Sequence, residues 1–430
     1  MGMTIAEKIL ASHAGRSKVE PGDVVTCDVD VAMATDGTAP LSIRVLEEMG
    51  ADRVWDPDRV VLVNDHFQPA KDIRSAELAR VMREFAREQE ITHFFEVGRS
   101  GICHSLLPQE GLALPGELIV GADSHTVTYG GYGAFATGVG STDLAAAWAL
   151  GQIWLKVPPT IRVSFTGGLQ PAVEPKDMIL RLMGELGSSG ALYKVLEYDG
   201  EAVRNMDMSG RHTLANMAVE AGAKAGLVNP DATTLEYVED RAVRPFEALQ
   251  SDPDAEYERH IEIDVDELAP QVAVPSLPEN TVDVGEVVET ELDQVMIGSC
   301  TNGSIEDLRR AHRYIEGREI HPDVRMVVIP GTREVVRQAE KEGLVEDFLA
   351  AGAIVSTPTC GPCIGGHMGV LASEEVALCT FNRNFRGRMG DPSSQVYLGS
   401  PSTAAASAVA GRIVDPRSVE TSTPPTEEEQ

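Results

Sequence analysis

Three cysteines on two loops are the residues of this chain whose types and spacing point most directly to chemistry. Cys360 and Cys363 form a Cys-x-x-Cys pair among glycines and prolines, and Cys300 stands far upstream in the sequence Ile-Gly-Ser-Cys-Thr-Asn-Gly. Structural zinc would require a fourth tightly spaced ligand. A 4Fe–4S cluster held by three cysteines would instead keep one iron open to substrate. We predict a metal centre on Cys300, Cys360 and Cys363, and structural zinc stays an alternative to the cluster.

The remaining cysteines are weaker candidates for ligands. Cys27 and Cys379 lie within apolar strand patterns, which is typical of buried core residues. Cys103 could in principle supply a fourth ligand. Six cysteines in 430 residues are too few and too scattered for a disulfide framework, so we expect a reducing compartment.

Histidines next to carboxylates form a second group of candidates. His66 directly follows Asp65, and His125 comes two residues after Asp123. A lone histidine is more often structural than catalytic, but a carboxylate partner fixes the tautomer and raises the basicity of an imidazole. We therefore predict proton transfer by at least two of the three histidines in this group. The candidates are Asp65, His66, His104, Asp123, His125 and Glu220.

The charge balance argues against some classes of partner. The chain has 67 acidic and 36 basic residues, a net charge of −31. Such a field repels phosphate backbones, so we expect no nucleic-acid partner. No apolar run approaches the roughly 20 residues of a membrane span, and the first residues lack the layout of a signal peptide. These features predict a cytoplasmic protein that does not bind a membrane.

Arginines in an otherwise acidic chain point to an acidic small molecule. Arg383 and Arg388 stand in the sequence Asn382-Arg-Asn-Phe-Arg-Gly-Arg388, just after a predicted strand. Most surface arginines are simply solvated. Forked guanidinium donors at the end of a strand nevertheless suit a dicarboxylate or tricarboxylate substrate.

Strand and helix patterns alternate along most of the chain, which predicts mostly parallel sheets covered by helices. Predicted strands cover residues 24–34, 60–63, 117–121, 293–297 and 376–380, and one helix covers 333–350. Residues 228–291 have a weaker pattern and are predicted to be a connecting segment. The candidate site residues fall just past the carboxyl ends of strands, where open parallel sheets bind ligands. We therefore expect one composite site.

Five motifs carry a resemblance that runs from about residue 3 to residue 417. Together they resemble the aconitase family of iron–sulfur hydro-lyases, and most closely the large subunits of its two-chain members. The motifs are Val120-Gly-Ala-Asp-Ser-His-Thr, Gly133-Ala-Phe-Ala-Thr-Gly-Val-Gly-Ser-Thr-Asp143, Ile297-Gly-Ser-Cys-Thr-Asn-Gly, Thr359-Cys-Gly-Pro-Cys363 and the Asn382–Arg388 stretch.

The resemblance implies a fold and a set of roles. The fold would be three α/β/α domains around a central cleft, at residues 1–158, 159–286 and 287–418, with a flexible tail at 419–430. Cys300, Cys360 and Cys363 would hold a 4Fe–4S cluster with one open iron site. The imidazole–carboxylate pairs would be Asp65–His66, His104–Asp123 and His125–Glu220, which would protonate a departing hydroxyl. Substrate would be bound by Ser124, Asn216, Asn382, Arg383 and Arg388.

The implied reaction is the reversible loss and re-addition of water on a malate-like acid. Single-chain members of the family also carry a swivelling domain with the general-base serine, so a separate small subunit is implied here, in a heterodimer or heterotetramer. Thr35 stands where the family usually has histidine. Related two-chain enzymes for other acids are alternatives, and an RNA-binding regulator or a structural metal protein are non-enzyme alternatives.

Overall fold

The computed structural model describes residues 2–421, so most of the predicted tail at 419–430 lies outside the described residues. The strands are β1 (Val24–Asp28), β2 (Val31–Thr35), β3 (Val60–Val63), β4 (His93–Phe95), β5 (Leu118–Gly121), β6 (Phe135–Gly138), β7 (Gln152–Lys156), β8 (Thr160–Thr166), β9 (Val195–Asp199), β10 (Ala225–Val228), β11 (Arg259–Asp264), β12 (Gln271–Ala273), β13 (Thr281–Asp283), β14 (Gln294–Gly298), β15 (Arg325–Ile329), β16 (Ile354–Val355), β17 (Val376–Cys379) and β18 (Gln395–Leu398).

The α-helices alternate with these strands. They are α1 (Ile5–His13), α2 (Ala39–Glu48), α3 (Ile73–Glu88), α4 (Cys103–Gln109), α5 (Ser141–Leu150), α6 (Pro175–Leu186), α7 (Glu201–Arg204), α8 (Met208–Met217), α9 (Ala232–Glu239), α10 (Ile305–Ile315), α11 (Arg333–Lys341), α12 (Leu344–Ala350) and α13 (Pro401–Ala410). Short 3₁₀ helices occur at Ser124–Tyr132, Ala218–Ala221, Val284–Glu286, Gly361–Ile364 and Pro416–Ser418. Within the described residues, no helix is long and apolar enough to cross a membrane.

The chain divides into two compact units. Within the described residues, the first contains 2–164 and 191–262, and the second contains 165–190 and 263–421. The three-domain division and the central cleft stay predictions. The predicted class is confirmed, since both units combine helices with mostly parallel sheets.

The first unit is built on a sheet of five parallel strands in the order β4-β3-β2-β5-β6. Its strands consist mainly of apolar residues, and all four residues of β3 are buried, because helices cover a parallel sheet on both sides. Trp148 of α5 stacks on Phe85 of α3 with ring centroids 5.5 Å apart in the core of this unit. A four-stranded sheet, β10-β9-β8-β11, and the antiparallel pair β1-β7 complete the strand pairing.

The second unit contains a sheet of seven strands in the order β13-β12-β18-β17-β14-β15-β16. The last five are parallel, and they repeat the order of the first unit's sheet. In both sheets, the strand that comes first in the sequence (β2 or β14) lies at the centre. The next two strands in the sequence extend to one side of it, and the last two extend to the other side. The order therefore reverses between β2 and β5, and between β14 and β17, where ligands bind in open parallel sheets.

Three predictions about secondary structure were wrong. Residues 24–34 form two strands, because β1 pairs antiparallel with β7 while β2 enters the parallel sheet. The predicted helix at 333–350 is broken into α11 and α12 at Gly343, which has φ 84°. The segment 228–291 is more than a connection, since it contains α9 and three short strands.

Candidate active site

Asp36, at the end of β2, anchors the loop that follows β3. Its buried carboxylate accepts backbone hydrogen bonds from Asp65 (3.1 Å), His66 (2.8 Å) and Phe67 (2.8 Å). Burial raises the pKa of this carboxyl, and the charge of His66 acts in the opposite direction. Asp36 is not among the site residues predicted from the sequence. An acid directly after the mostly apolar strand Val31–Thr35 was the available signal.

His66 is held between carboxylates. Its Nδ1 lies 2.6 Å from Asp65 Oδ1, and its Nε2 lies 3.5 Å from Asp123 Oδ2. The other oxygen of Asp65 accepts a hydrogen bond of 2.8 Å from the backbone N–H of Cys103, which fixes the carboxylate in place. Burial alone would lower the pKa of His66, but Asp65, Asp36 and Asp123 outweigh it and raise that pKa to about 10. The imidazole is therefore protonated at neutral pH.

This raised pKa predicts a pH-dependent stability. Between the ordinary pKa of 6.5 and about 10, the folded protein holds a proton on His66 that the unfolded chain has released. The contribution of His66 is complete below pH 6.5 and is lost as pH rises through about 10. Relative to His66→Gln, the free energy of unfolding should fall by about 1.4 kcal/mol per pH unit in this window. Urea titrations of both proteins at several pH values test this, and parallel pH profiles would contradict it.

Asp123, just past β5, joins the three histidines. Its Oδ1 lies 2.9 Å from His104 Nε2 and accepts the backbone N–H of His125 at 2.8 Å. Burial would raise the pKa of Asp123, but the charge and hydrogen bond of His104, with contributions from His125 and His66, hold it well below its usual range. Nδ1 of His104 is buried and has no hydrogen-bond partner among the described residues. One carboxylate thus orients two imidazoles and faces a third.

The third pair is also formed. His125 Nε2 lies 2.9 Å from Glu220 Oε1, and both side chains are buried. Ser124 Oγ lies 3.5 Å from the other ring nitrogen of His125. Asn216 is fully buried at the end of α8 and donates to Thr128 Oγ1 at 2.9 Å, while Thr128 donates to the backbone carbonyl of His125. The structure brings Ser124, Asn216 and Glu220 to one histidine.

The three predicted cysteine ligands lie in the second unit at the carboxyl edge of its parallel strands. Cys300 follows β14. Cys360 directly precedes the 3₁₀ turn Gly361–Ile364, and Cys363 lies within this turn. All three thiols are buried and none is in a disulfide. Gly298 makes the tight loop before Cys300 feasible, because its φ is 114° and a Cβ there would lie 1.9 Å from the carbonyl oxygen of Ile329.

Asn382 connects two of these thiols. Its Nδ2 donates to Cys300 Sγ at 3.2 Å, and its Oδ1 lies 3.9 Å from Cys363 Sγ. Arg388 approaches Cys363 Sγ with Nη2 at 4.0 Å, and Arg383 is half-buried in the same loop. Three buried thiols with an amide donor beside their sulfurs form the soft, water-shielded donor set that an iron–sulfur cluster requires. The residues present fit such a cluster.

The other cysteines are placed differently. Cys27 and Cys379 are fully buried in β1 and β17, and Cys379 Sγ lies 3.7 Å from Met389 Sδ. Burial raises the pKa of Cys27 to about 11 and that of Cys379 well above its usual range. Cys103 is in the first unit, at the start of α4. These environments suit structural thiols.

Comparison with known proteins defines the class. The family model described as "Aconitase family (aconitate hydratase)" matches residues 7–411. The chain therefore belongs to the aconitase family, and membership makes it a hydro-lyase and implies a 4Fe–4S cluster.

The relatives narrow the class. Proteins named "3-isopropylmalate dehydratase large subunit" are 57% identical in Heliobacterium modesticaldum, covering 98% of this chain and 100% of the relative, and 57% identical in Moorella thermoacetica, covering 97% and 100%. "3-isopropylmalate dehydratase large subunit 1" of Pyrococcus furiosus is 54% identical and covers 97% and 99%. A solved structure, the holo-form of Thermococcus kodakaraensis aconitase X, covers 85% of this chain and 88% of its own at 13% identity with a TM-score of 0.47, a likeness too distant to bear on the site.

Proposed function

We propose that this chain is the cytoplasmic large subunit of a 3-isopropylmalate dehydratase. The enzyme would interconvert 2-isopropylmalate and 3-isopropylmalate through 2-isopropylmaleate, a step of leucine biosynthesis. The observation that carries the proposal is the set of three imidazole–carboxylate pairs at one sheet edge, in a chain with three buried thiols at the equivalent edge of its second sheet. The shared name of the relatives supports this substrate over homocitrate or dimethylmalate.

The cluster would be held by Cys300, Cys360 and Cys363, and when bound it supplies a Lewis-acidic iron with one position open to substrate. Asn382 would stabilise this arrangement, because its amide N–H already donates to Cys300 Sγ. Hydrogen bonds to ligand sulfurs tune the properties of such centres. Arg383 and Arg388 would bind the carboxylates of the substrate, since each offers a forked set of donors.

The histidines would supply the proton with which the hydroxyl leaves as water. His66 is protonated at neutral pH, so it can give a proton to the departing hydroxyl while Asp65 and Asp123 stabilise its ring. His104 and His125 donate from Nε2 to Asp123 and Glu220, because a carboxylate can only accept, and this leaves Nδ1 of each ring for another partner. Ser124 can then donate to Nδ1 of His125 and orient the substrate.

Loss of water also removes a proton from the carbon adjacent to the one that bears the hydroxyl, and this step needs a base. The family resemblance assigns that base to a serine on the swivelling domain, which a small subunit would supply. The name "large subunit" of the relatives implies such a partner for them. We therefore expect the reconstituted chain alone to turn over isopropylmalate at least a thousandfold more slowly than the pair.

The test uses the chain with its cluster reconstituted under anaerobic conditions, with and without a small subunit produced from the same genome. Formation of the corresponding unsaturated acid is measured with isopropylmalate, homocitrate and citrate. We expect turnover of isopropylmalate, and we expect it only when the small subunit is present. Robust turnover by the single chain would contradict the need for a small subunit, and a preference for homocitrate would contradict the substrate.

A further inference from the structure

Lys176 is a buried lysine that the proposed reaction does not use. It is the second residue of α6, and its side chain is fully buried. Burying an ammonium is costly, and a cation in the first turn of a helix also opposes the helix dipole. A lysine stem can fill a core simply as an apolar chain, but the environment of its nitrogen shows a more specific arrangement.

The ammonium of Lys176 contacts two loops of the second unit. It donates to the backbone carbonyls of Thr380 and Phe381, each at 2.7 Å, and lies 3.5 Å from Asn302 Oδ1. Thr380 and Phe381 directly precede Asn382, the residue whose amide donates to Cys300. Asn302 is two residues beyond Cys300. One nitrogen thus joins the loops after β14 and β17, where the strand order reverses.

The electrostatic setting is consistent with a cation that serves the thiols. The acceptors are carbonyl oxygens rather than carboxylates, so these hydrogen bonds leave the positive charge uncompensated. Burial lowers the pKa of Lys176 to about 7, and the charges of Cys300, Asp307, Asp177 and Cys363 act in the opposite direction. An anionic group on the cysteines would add to that stabilisation of the ammonium.

We propose that Lys176 is a positioning residue for the metal centre, which holds the Cys300 and Asn382 loops together and places a positive charge near the thiolates. The proposal rests on the cysteine-held cluster of the proposed function. Reduction adds a negative charge to a cluster, and a fixed cation nearby favours the reduced form. Removal of the cation should therefore make the cluster harder to reduce. Separation of the two loops should make the protein lose the cluster more easily.

The experiment compares Lys176→Met, Lys176→Gln and Lys176→Arg, each reconstituted anaerobically with iron and sulfide. Iron content and the midpoint potential of the one-electron couple are measured by EPR-monitored titration. For Lys176→Met we expect a more negative potential, by about a tenfold change in the equilibrium constant or about 59 mV for one electron, and faster loss of iron in air. Lys176→Gln should shift in the same direction, whereas Lys176→Arg should stay close to the wild type.

Lys224→Met is the matched control. Lys224 lies in the first unit and is half-buried. Its Nζ also donates to a backbone carbonyl, that of Gly138, at 3.5 Å. Its replacement should leave the potential unchanged. If Lys176→Met does not fold, the Gln and Arg variants decide, because only the former loses the charge. Equal potentials in all folded variants, or an Arg variant as perturbed as the Gln variant, would overturn the proposal. A wild-type chain that takes up no cluster would instead refute the proposed function.

Discussion

Replacing Cys363 by serine should remove the cluster and reduce turnover by about a thousandfold or more. A serine hydroxyl is a poor ligand for iron beside two thiolates, and loss of the Lewis acid costs several kcal/mol of transition-state stabilisation. Cys363 is buried and lies beside Asn382 Oδ1, so no solvent ligand can readily substitute. Iron content, visible absorption and the turnover of the complex with its small subunit are measured together.

Cys379→Ala is the control for this experiment. Cys379 is equally buried in the same unit, but it lies within β17 beside Met389 rather than on a strand-end loop. Its loss should cost some stability and leave the iron content unchanged. The ligand assignment fails if Cys363→Ser retains a full cluster, or if Cys379→Ala loses it.

Replacing Asp123 by asparagine should lower kcat by about a hundredfold to ten-thousandfold, the range expected when positioned acid–base catalysis is lost. The asparagine is nearly the same size, but it carries no charge and has one acceptor oxygen. His104 would lose an ionised acceptor for Nε2, and His66 would lose the carboxylate that faces its own Nε2. The tautomer and charge of both rings should change together with the rate.

Asp28→Asn is the matched control for Asp123→Asn. Asp28 lies in the same unit on β1, and it accepts a hydrogen bond of 2.7 Å from the side chain of Gln152. Its replacement should leave kcat within a factor of two, because surface substitutions rarely disturb a distant site. Nitrogen-15 NMR of the histidine rings separates a positional effect from unfolding. An Asp123→Asn variant with normal kcat and unchanged ring spectra would contradict the role of this carboxylate.

Residues beside strand ends were the part of the site that the sequence could predict. Asp65, Asp123 and Cys300 follow short apolar runs. The parallel pairing of those runs brings the ends of β3 and β5 to one edge of the first unit's sheet, and it places the end of β14 at the corresponding edge of the second unit's sheet. The pairing of His125 with Glu220 joins residues 95 positions apart. No local pattern indicates such a contact, and only the family resemblance implied it.

Asp36 and Lys176 were missed because their functions depend on backbone groups. Asp36 binds three backbone amides, and Lys176 binds two backbone carbonyls. A sequence does not show which backbone groups of distant loops remain to be satisfied. The division of residues 24–34 into two strands has a similar cause, because β1 pairs with β7, more than a hundred residues later in the chain.

A cluster held by only three cysteines should have one replaceable iron. The most direct measurement is EPR of the anaerobically reconstituted wild-type chain through one cycle of mild oxidation and re-reduction with ferrous iron. We predict that oxidation gives a 3Fe–4S signal and that reduction with added iron restores the 4Fe–4S form, with one iron lost and regained per chain. A colourless zinc protein, or a cluster that passes through the cycle with four irons retained, would contradict it.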